Sequence, residues 1–271
     1  MSAILSAVSL PYPETQEGFW GKPTSTINWC EEDYVVSYFA AEAVNTLTNL
    51  LFIAIGVRGV YNCIRFNYDT AFLVAYCGYL LVGCGSFAFH ASLTYPMQLL
   101  DELSMIYTTS ILCYTTFSLS QSTLFSLALG FSLTLLSLFI TAYYHYVQEP
   151  LFHQVAFVFL FFTTLLRAFY TMRTSLRPLL KEKYRNQARE NQIAKVTTQN
   201  KIPRDQAIIQ EMWWMVVAGV ITTAAGVVMW NLDNLYCDDF RRWRNLIGMP
   251  WGFVLEGHGV RKHLFLYLIF S

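Results

Sequence analysis

Charge is what this sequence has least of. Only 13% of its 271 residues are Asp, Glu, Lys or Arg, about half the roughly 25% of ordinary soluble domains. A water-soluble globule of this length needs more polar surface, so the composition argues for an integral membrane protein with several spans. The 55% hydrophobic content and a mean hydropathy of +0.37 agree. Neither sign of charge is in excess, with 18 basic against 18 acidic residues, so nothing draws the chain to nucleic acid. The opening stretch MSAILSAVSLPYPETQ has no cationic region and only a short apolar run, and no cleaved signal peptide is read there. Metal-type C-x-x-C spacing is missing from the six cysteines. Cys63, Cys77, Cys84 and Cys113 lie inside apolar runs as packing residues, whereas Cys30 and Cys237 lie in polar segments.

What is present is a series of apolar runs near 38–61, 70–92, 98–119, 123–146, 151–172 and 211–232, with a last candidate at 250–271. Each approaches the roughly 20 residues a span requires, which predicts an all-α membrane protein, a seven-transmembrane helix bundle forming one domain over 1–271. Short connections such as RFNYDT, TYP and QEP read as turns. Residues 173–207 differ: this polar loop holds nine of the 18 basic residues, among them Arg173, Lys181, Arg189 and Arg204. Cationic loops stay cytosolic, which puts the N-terminus on the lumenal side. Arg58 and Arg65 agree with that orientation, and the cluster Arg241, Arg242 and Arg244 opposes it.

Ionisable groups inside spans are costly and are site candidates by default. Here they gather at one end. His90 closes the second run, Asp101 and Glu102 open the third, His145 ends the fourth, and Glu149 and His153 begin the fifth. Asn231, Asp233 and Asn234 end the sixth, and His258 is early in the seventh. In an alternating serpentine these positions share the lumenal face, together with the acidic segment NWCEEDY. His145 and His153 are read as structural. Ser86 lies one helical turn before His90, and the TYP turn folds Asp101 back to about the same depth. A histidine, a hydroxyl and a carboxylate at one level suit a zinc hydrolase, in which zinc keeps a coordination position for water and a carboxylate relays its proton. A polar channel or transporter site fits these residues equally well.

Several stretches in order, GFWGKPTSTINWCEEDYVVSYFAAE, GCGSFAFHASL, MQLLDELSMIY, EPLFHQV, MWNLDNLYCDDFR and PWGFVLEGH, resemble the alkaline ceramidases, in particular the fungal type. The resemblance covers nearly the whole chain. It implies a zinc-dependent amidohydrolase that cleaves ceramide into a sphingoid base and a fatty acid, needing the bilayer and a ceramide-type lipid but no obligate protein partner. It implies zinc on His90, with Ser86 holding the attacking water and the oxyanion and Asp101 accepting and donating the proton. It further implies calcium at the segment within 1–37 and just beyond, on Asn28, Trp29, Glu31, Asp33 and Glu42, with Trp29 giving its backbone carbonyl. Family members usually carry Asp and Asn where this chain has Asn28 and Asp33. The family pairing of cysteines corresponds to a Cys30–Cys237 disulfide on an oxidising lumenal face, in the endoplasmic reticulum or Golgi.

One motif departs from the family. Its last span carries H-x-x-x-H, two zinc ligands about 40° apart around a helix. His258 matches the first, but the second position holds Lys262, and His263 stands one residue late, about 140° from His258 on an ideal helix. Arg261 and Lys262 would also burden the span centre by roughly 2.5–3.5 kcal/mol each. The seventh helix is therefore expected to be truncated or abnormal after Gly259. Either the chain is a divergent pseudoenzyme or receptor-like lipid-binding protein that lost a ligand, or translation reads past a splice junction there, since Val-Arg-Lys is encodable by a sequence beginning GT.

Overall fold

The structure is a computed structural model, and it describes residues 10–11, 13–119, 121–176 and 201–256. Seven α-helices lie in these segments: α1 (Ala43–Arg65), α2 (Thr70–Ser92), α3 (Tyr95–Ser118), α4 (Thr123–Val147), α5 (Pro150–Thr171), α6 (Lys201–Leu235) and α7 (Cys237–Ile247). A π-helical turn, Met172–Leu176, extends α5, and a 3₁₀ turn covers Trp251–Leu255. The described residues contain no strand, only isolated bridges between Leu10 and Met249 and between Ser37 and Ala40.

Local chemistry sets the helix ends. Asp69 accepts the amide of Ala71 at 2.8 Å to start α2, and Ser122 accepts that of Phe125 at 3.3 Å to start α4. Pro96 and Pro150 occupy the first turns of α3 and α5, where a missing N–H costs nothing. Leu93 and Gln148 close α2 and α4 in left-handed conformations. With two-residue connections at 93–94 and 148–149, α2–α3 and α4–α5 are tight antiparallel hairpins.

Among the described residues, five helices are long and apolar enough to cross a membrane: α1, α2, α4, α5 through Thr174, and Gln210–Leu235 of α6. The chain is a multi-pass membrane protein. Its burial pattern inverts that of a soluble fold. Along α1, Asn45, Thr46, Thr48, Asn49, Gly56 and Gly59 are buried while Leu47, Leu50, Leu51 and Val57 are exposed. With lipid outside, small and polar residues hold the helix contacts. A side chain at Gly59 would run into the Tyr76 ring, so α1 and α2 meet backbone to side chain.

The first six apolar runs coincide with these helices except for residues 38–42, which precede α1, and three further details differ from expectation. The third run, α3, has 24 residues, yet its polar opening turns keep it out of the set of apolar spans. Residues 201–207 of the expected polar loop are the first turns of α6, where Pro203 is tolerated because early helical amides need no intrahelical partner. Residues 251–255 of the seventh run form a 3₁₀ turn rather than the start of an α-helix, and its remainder, 257–271, lies outside the described residues, as do 177–200.

The segment before α1 is irregular but pinned. The amides of Thr24 and Ser25 both donate to the carbonyl of Leu93 at 3.0 Å, Ala41 to that of Ala91 at 2.9 Å, and Glu42 to that of His90 at 2.9 Å. These bonds satisfy carbonyls that the end of α2 would leave bare. Tyr34, Ala41, Phe89 and Leu93 pack beneath them as a small apolar core with Trp29 and Met97.

Candidate functional site

The lacing of residues 24–42 over the α2 terminus carries Glu42 onto His90. Glu42 is fully buried and His90 is 1% exposed, and a Glu42 carboxylate oxygen contacts His90 Nδ1. The other Glu42 oxygen accepts the amide of Trp29 at 3.2 Å. A carboxylate on Nδ1 places the ring proton there and makes Nε2 the lone-pair nitrogen, the arrangement that orients histidines bound to metals. One turn earlier on α2, the Ser86 hydroxyl oxygen accepts from Asn49 Nδ2 of α1 at 3.0 Å. A Cβ at Gly85 would sit 3.0 Å from the carbonyl oxygen of Leu100 and 3.2 Å from the Cα of Asp101. A side chain there would force the α3 backbone outward, so the glycine lets α3 at Asp101 approach α2 next to Ser86. Asp101 is half-buried, and Ser104 Oγ donates to its carbonyl at 2.7 Å.

The polar segment has its own architecture. The Glu31 carboxylate accepts the amides of Val44 at 2.6 Å and Asn45 at 3.0 Å, and Asn45 Nδ2 at 2.9 Å. It thus caps α1 from outside the helix and meets the positive end of its dipole. Asn28 Nδ2 donates to Asp33 Oδ2 at 3.0 Å. Burial pushes the Asp33 carboxyl above its ordinary range, against the opposing pull of the Asn28 bond and the Arg241 charge.

Cys30 and Cys237 are disulfide-bonded with Cα atoms 5.4 Å apart, joining this segment to α7. Arg241 Nε donates to the Cys30 carbonyl at 2.9 Å, and its Nη2 lies 3.4 Å from the carbonyls of Trp29 and Glu31. Arg244, fully buried, donates to the Cys30 carbonyl at 2.7 Å and pairs with Glu32 at 3.2 Å and with Glu256. The arginine cluster that opposed the orientation is thus largely internal. Arg241 and Arg244 grip carbonyls and carboxylates, and Arg242 alone of the three is exposed.

Of the groups expected at this end, His90 lies one turn from Ser86 on α2 and the α3 backbone at Asp101 packs against the intervening Gly85, while Glu42, expected only at the calcium segment, reaches His90. Asp233 is buried, whereas Asn231 and Asn234 are exposed and Asn231 donates back to Val227 of its own helix. His145 stands at the periphery, 3.5 Å from the Tyr95 hydroxyl. His258 and His263 lie outside the described residues. Among the described residues no three His, Cys, Asp or Glu side chains form a metal cage. For calcium the donor chemistry fits: Asn28, Glu31, Asp33, Glu42 and the Trp29 carbonyl carry the hard oxygen donors that calcium prefers, and Asp33 Oδ1 is buried without a hydrogen-bond partner. For zinc the fit rests on the carboxylate-held ring of His90.

Sequence reasoning missed Asn49 and took Glu42 only as a calcium ligand. A signal was present: Glu42, Asn45, Thr46 and Asn49 recur at helical spacing inside an apolar run, and all four are buried.

The profile of the ceramidase family matches residues 21–269. This chain belongs to the ceramidase family. Alkaline ceramidase 3 of Mus musculus is 33% identical over 263 residues, covering 93% of this chain and 86% of that protein. Alkaline ceramidase YPC1 of Saccharomyces cerevisiae is 33% identical over 256 residues, covering 92% and 74% respectively. An alkaline ceramidase of Arabidopsis thaliana is 32% identical over 100 residues, 37% of this chain and 39% of that protein. The ceramidase profile continues past Gly259, so the departure at Lys262 falls inside the matched range.

Proposed function

We propose that this protein hydrolyses the amide bond of ceramide-type lipids, releasing a sphingoid base and a fatty acid, as a zinc-dependent and calcium-modulated enzyme. One observation carries the reading: the buried Glu42–His90 pair stands at the same bundle end as Ser86, and the Gly85 crossing sets the α3 backbone at Asp101 against that end of α2. His90 would hold zinc with His258; when bound, the metal supplies Lewis acidity toward the amide oxygen and acidifies water.

The roles of the protein groups follow from their bonds. Glu42 fixes the His90 ring through Nδ1. Because Ser86 Oγ accepts from Asn49, its own O–H is directed away from Asn49 and can donate to the oxygen that gains charge as the amide carbonyl becomes tetrahedral. Asp101 takes the proton of the attacking water and passes it to the departing amine, so the C–N bond breaks to a neutral leaving group. The spans exclude bulk water from one side and present the site to a lipid that never leaves the bilayer.

The proposal extends to topology. α3 and the segment beginning near residue 250 complete a seven-span bundle, with the site and the disulfide lumenal, the 173–207 region cytosolic, and the endoplasmic reticulum or Golgi as the compartment. The disulfide supports the lumenal assignment because thiols stay reduced in the cytosol. Lys262, standing where the second zinc-ligating histidine is expected, favours a second reading, a catalytically impaired pseudoenzyme or receptor-like lipid-binding protein.

Purified protein assayed for zinc content and for fatty acid released from ceramide or phytoceramide separates the two. Release that Asp101→Asn removes, with zinc retained, supports the enzyme. Stoichiometric zinc without release overturns it in favour of the binding protein.

A further inference from the structure

We propose that a second buried network, formed by Gln98, Glu102, Tyr144 and His153, is a positioning device for Asp101; this rests on the reading of Asp101 as the proton-transfer group. The four side chains are 0%, 6%, 0% and 1% exposed and come from α3, α4 and α5. The Tyr144 hydroxyl donates to Glu102 Oε2. Gln98 Nε2 shares its two hydrogens among Tyr144 Oη at 2.9 Å, Glu102 Oε2 at 3.1 Å and Thr26 Oγ1 at 2.8 Å, while Gln98 Oε1 accepts the Thr26 amide at 2.8 Å. One glutamine therefore ties α3 to α4 and to the segment that carries Glu42.

The contact that bears on catalysis is with the main chain. His153 Nε2 lies 2.8 Å from the carbonyl oxygen of Glu102. A carbonyl only accepts, so Nε2 carries the proton, and Nδ1 faces Glu102 Oε1 at 3.6 Å. The preceding carbonyl, that of Asp101, takes the Ser104 hydroxyl. Two successive peptide groups are thus each held by a side chain beyond their helical bonds, at the residue whose carboxylate must meet the substrate. Asp101 and Glu102 project about 100° apart around α3. The network therefore grips the helix from the α4–α5 side, does not touch the reacting atoms, and leaves the Asp101 face against α2.

Packing alone does not call for such a device. Apolar side chains would join α3, α4 and α5 without the desolvation cost of a buried carboxylate and imidazole, and Ile106, Ile140 and Leu160 do so one to two turns away. What a hydrogen-bonded lock adds is a single register, and proton transfer is sensitive to displacements of the donor on the order of 1 Å.

The test compares Tyr144→Phe, His153→Leu and His153→Gln in the full-length protein, with initial rates over a range of ceramide concentrations and hydrogen–deuterium exchange of the peptide 97–107. Loss of the lock lowers kcat about tenfold in Tyr144→Phe and His153→Leu with KM changed by no more than about twofold. Exchange in that peptide rises while the rest of the protein is unchanged. His153→Gln, whose amide still donates to the Glu102 carbonyl, recovers kcat. Wild-type kcat in both disruptive variants overturns the proposal, and so does a raised KM at unchanged kcat or a His153→Gln as impaired as His153→Leu. If a disruptive variant does not fold, Gln98→Met, which cuts the ties from α3 to Tyr144 and to Thr26, replaces it with the same expectations. If the wild-type protein releases no fatty acid, the ceramidase reading falls instead, and exchange in 97–107 equal to wild type then overturns the positioning role by itself.

Discussion

The helices α1, α2 and α3 and the hairpin α4–α5 are built of similar residues and used differently. The first three bury many polar and small residues, among them Asn, Thr, Ser, Gly, Gln and His, while α4 buries only Ser137, Ile140 and Tyr144 and α5 only His153 and Leu160. Most large apolar side chains of α4 and α5, such as Leu127, Phe131, Val155 and Phe159, are exposed. The trio is a polar machine inside an apolar envelope. The hairpin is envelope on its outer side and a brace for α3 on its inner side. In lipid, burial of polar groups marks where chemistry is done, because apolar contact between helices gains little over contact with acyl chains.

That contrast can be broken at graded cost. Asp101→Asn keeps the shape of the α3 opening but cannot accept a proton, and fatty acid release is expected to fall by about 10²-fold or more, measured at saturating ceramide with protein yield unchanged. Asn49→Ala removes the donor that orients Ser86 from α1. A loss of about tenfold in kcat is expected, the size of one neutral hydrogen bond in the transition state, and an unchanged kcat would remove Ser86 orientation from the account.

Asp33→Asn sharpens the picture at the calcium segment. Burial raises the Asp33 carboxyl in the folded chain, so the stability it contributes is full below its unfolded value near 3.8 and is lost as pH rises through the folded value. In chelator at neutral pH, Asp33→Asn should therefore melt higher than wild type, and the gap should close as pH falls toward 4. Calcium should reverse the order by stabilising wild type alone. On the hairpin, Leu127→Ala should shift stability by less than about 0.5 kcal/mol and leave release intact, since its lipid-facing side chain is 66% exposed.

Much of this arrangement is legible from residue order. Run lengths and the polar groups at their ends place His90, Ser86 and Asp101 at one level, because a serpentine of spans leaves few alternatives. Contacts between the irregular segment and the helices are not legible in that way. The Glu42–His90 contact depends on hydrogen bonds from residues 24–42 to the last carbonyls of α2, and no periodicity encodes them. Arg241 and Arg244 read as a topological signal in sequence, yet in the fold their charges bind carbonyls and carboxylates of the 29–32 stretch and Glu256. A charge counts toward orientation only if it is free to face the solvent, which the sequence does not state. His153 reads as structural, and its bond to the Glu102 carbonyl explains how a structural group reaches the site.

The central claim is that His90, held by Glu42, binds the metal that makes this bundle end a hydrolase. Its most direct measurement strips the purified protein with a chelator and titrates zinc back while fatty acid release from ceramide is followed, in wild type and in His90→Ala. The account predicts that stripped wild type is inactive and recovers with about one zinc per chain, and that His90→Ala does not recover at any zinc concentration. Full release from the stripped protein, or from His90→Ala, would contradict it.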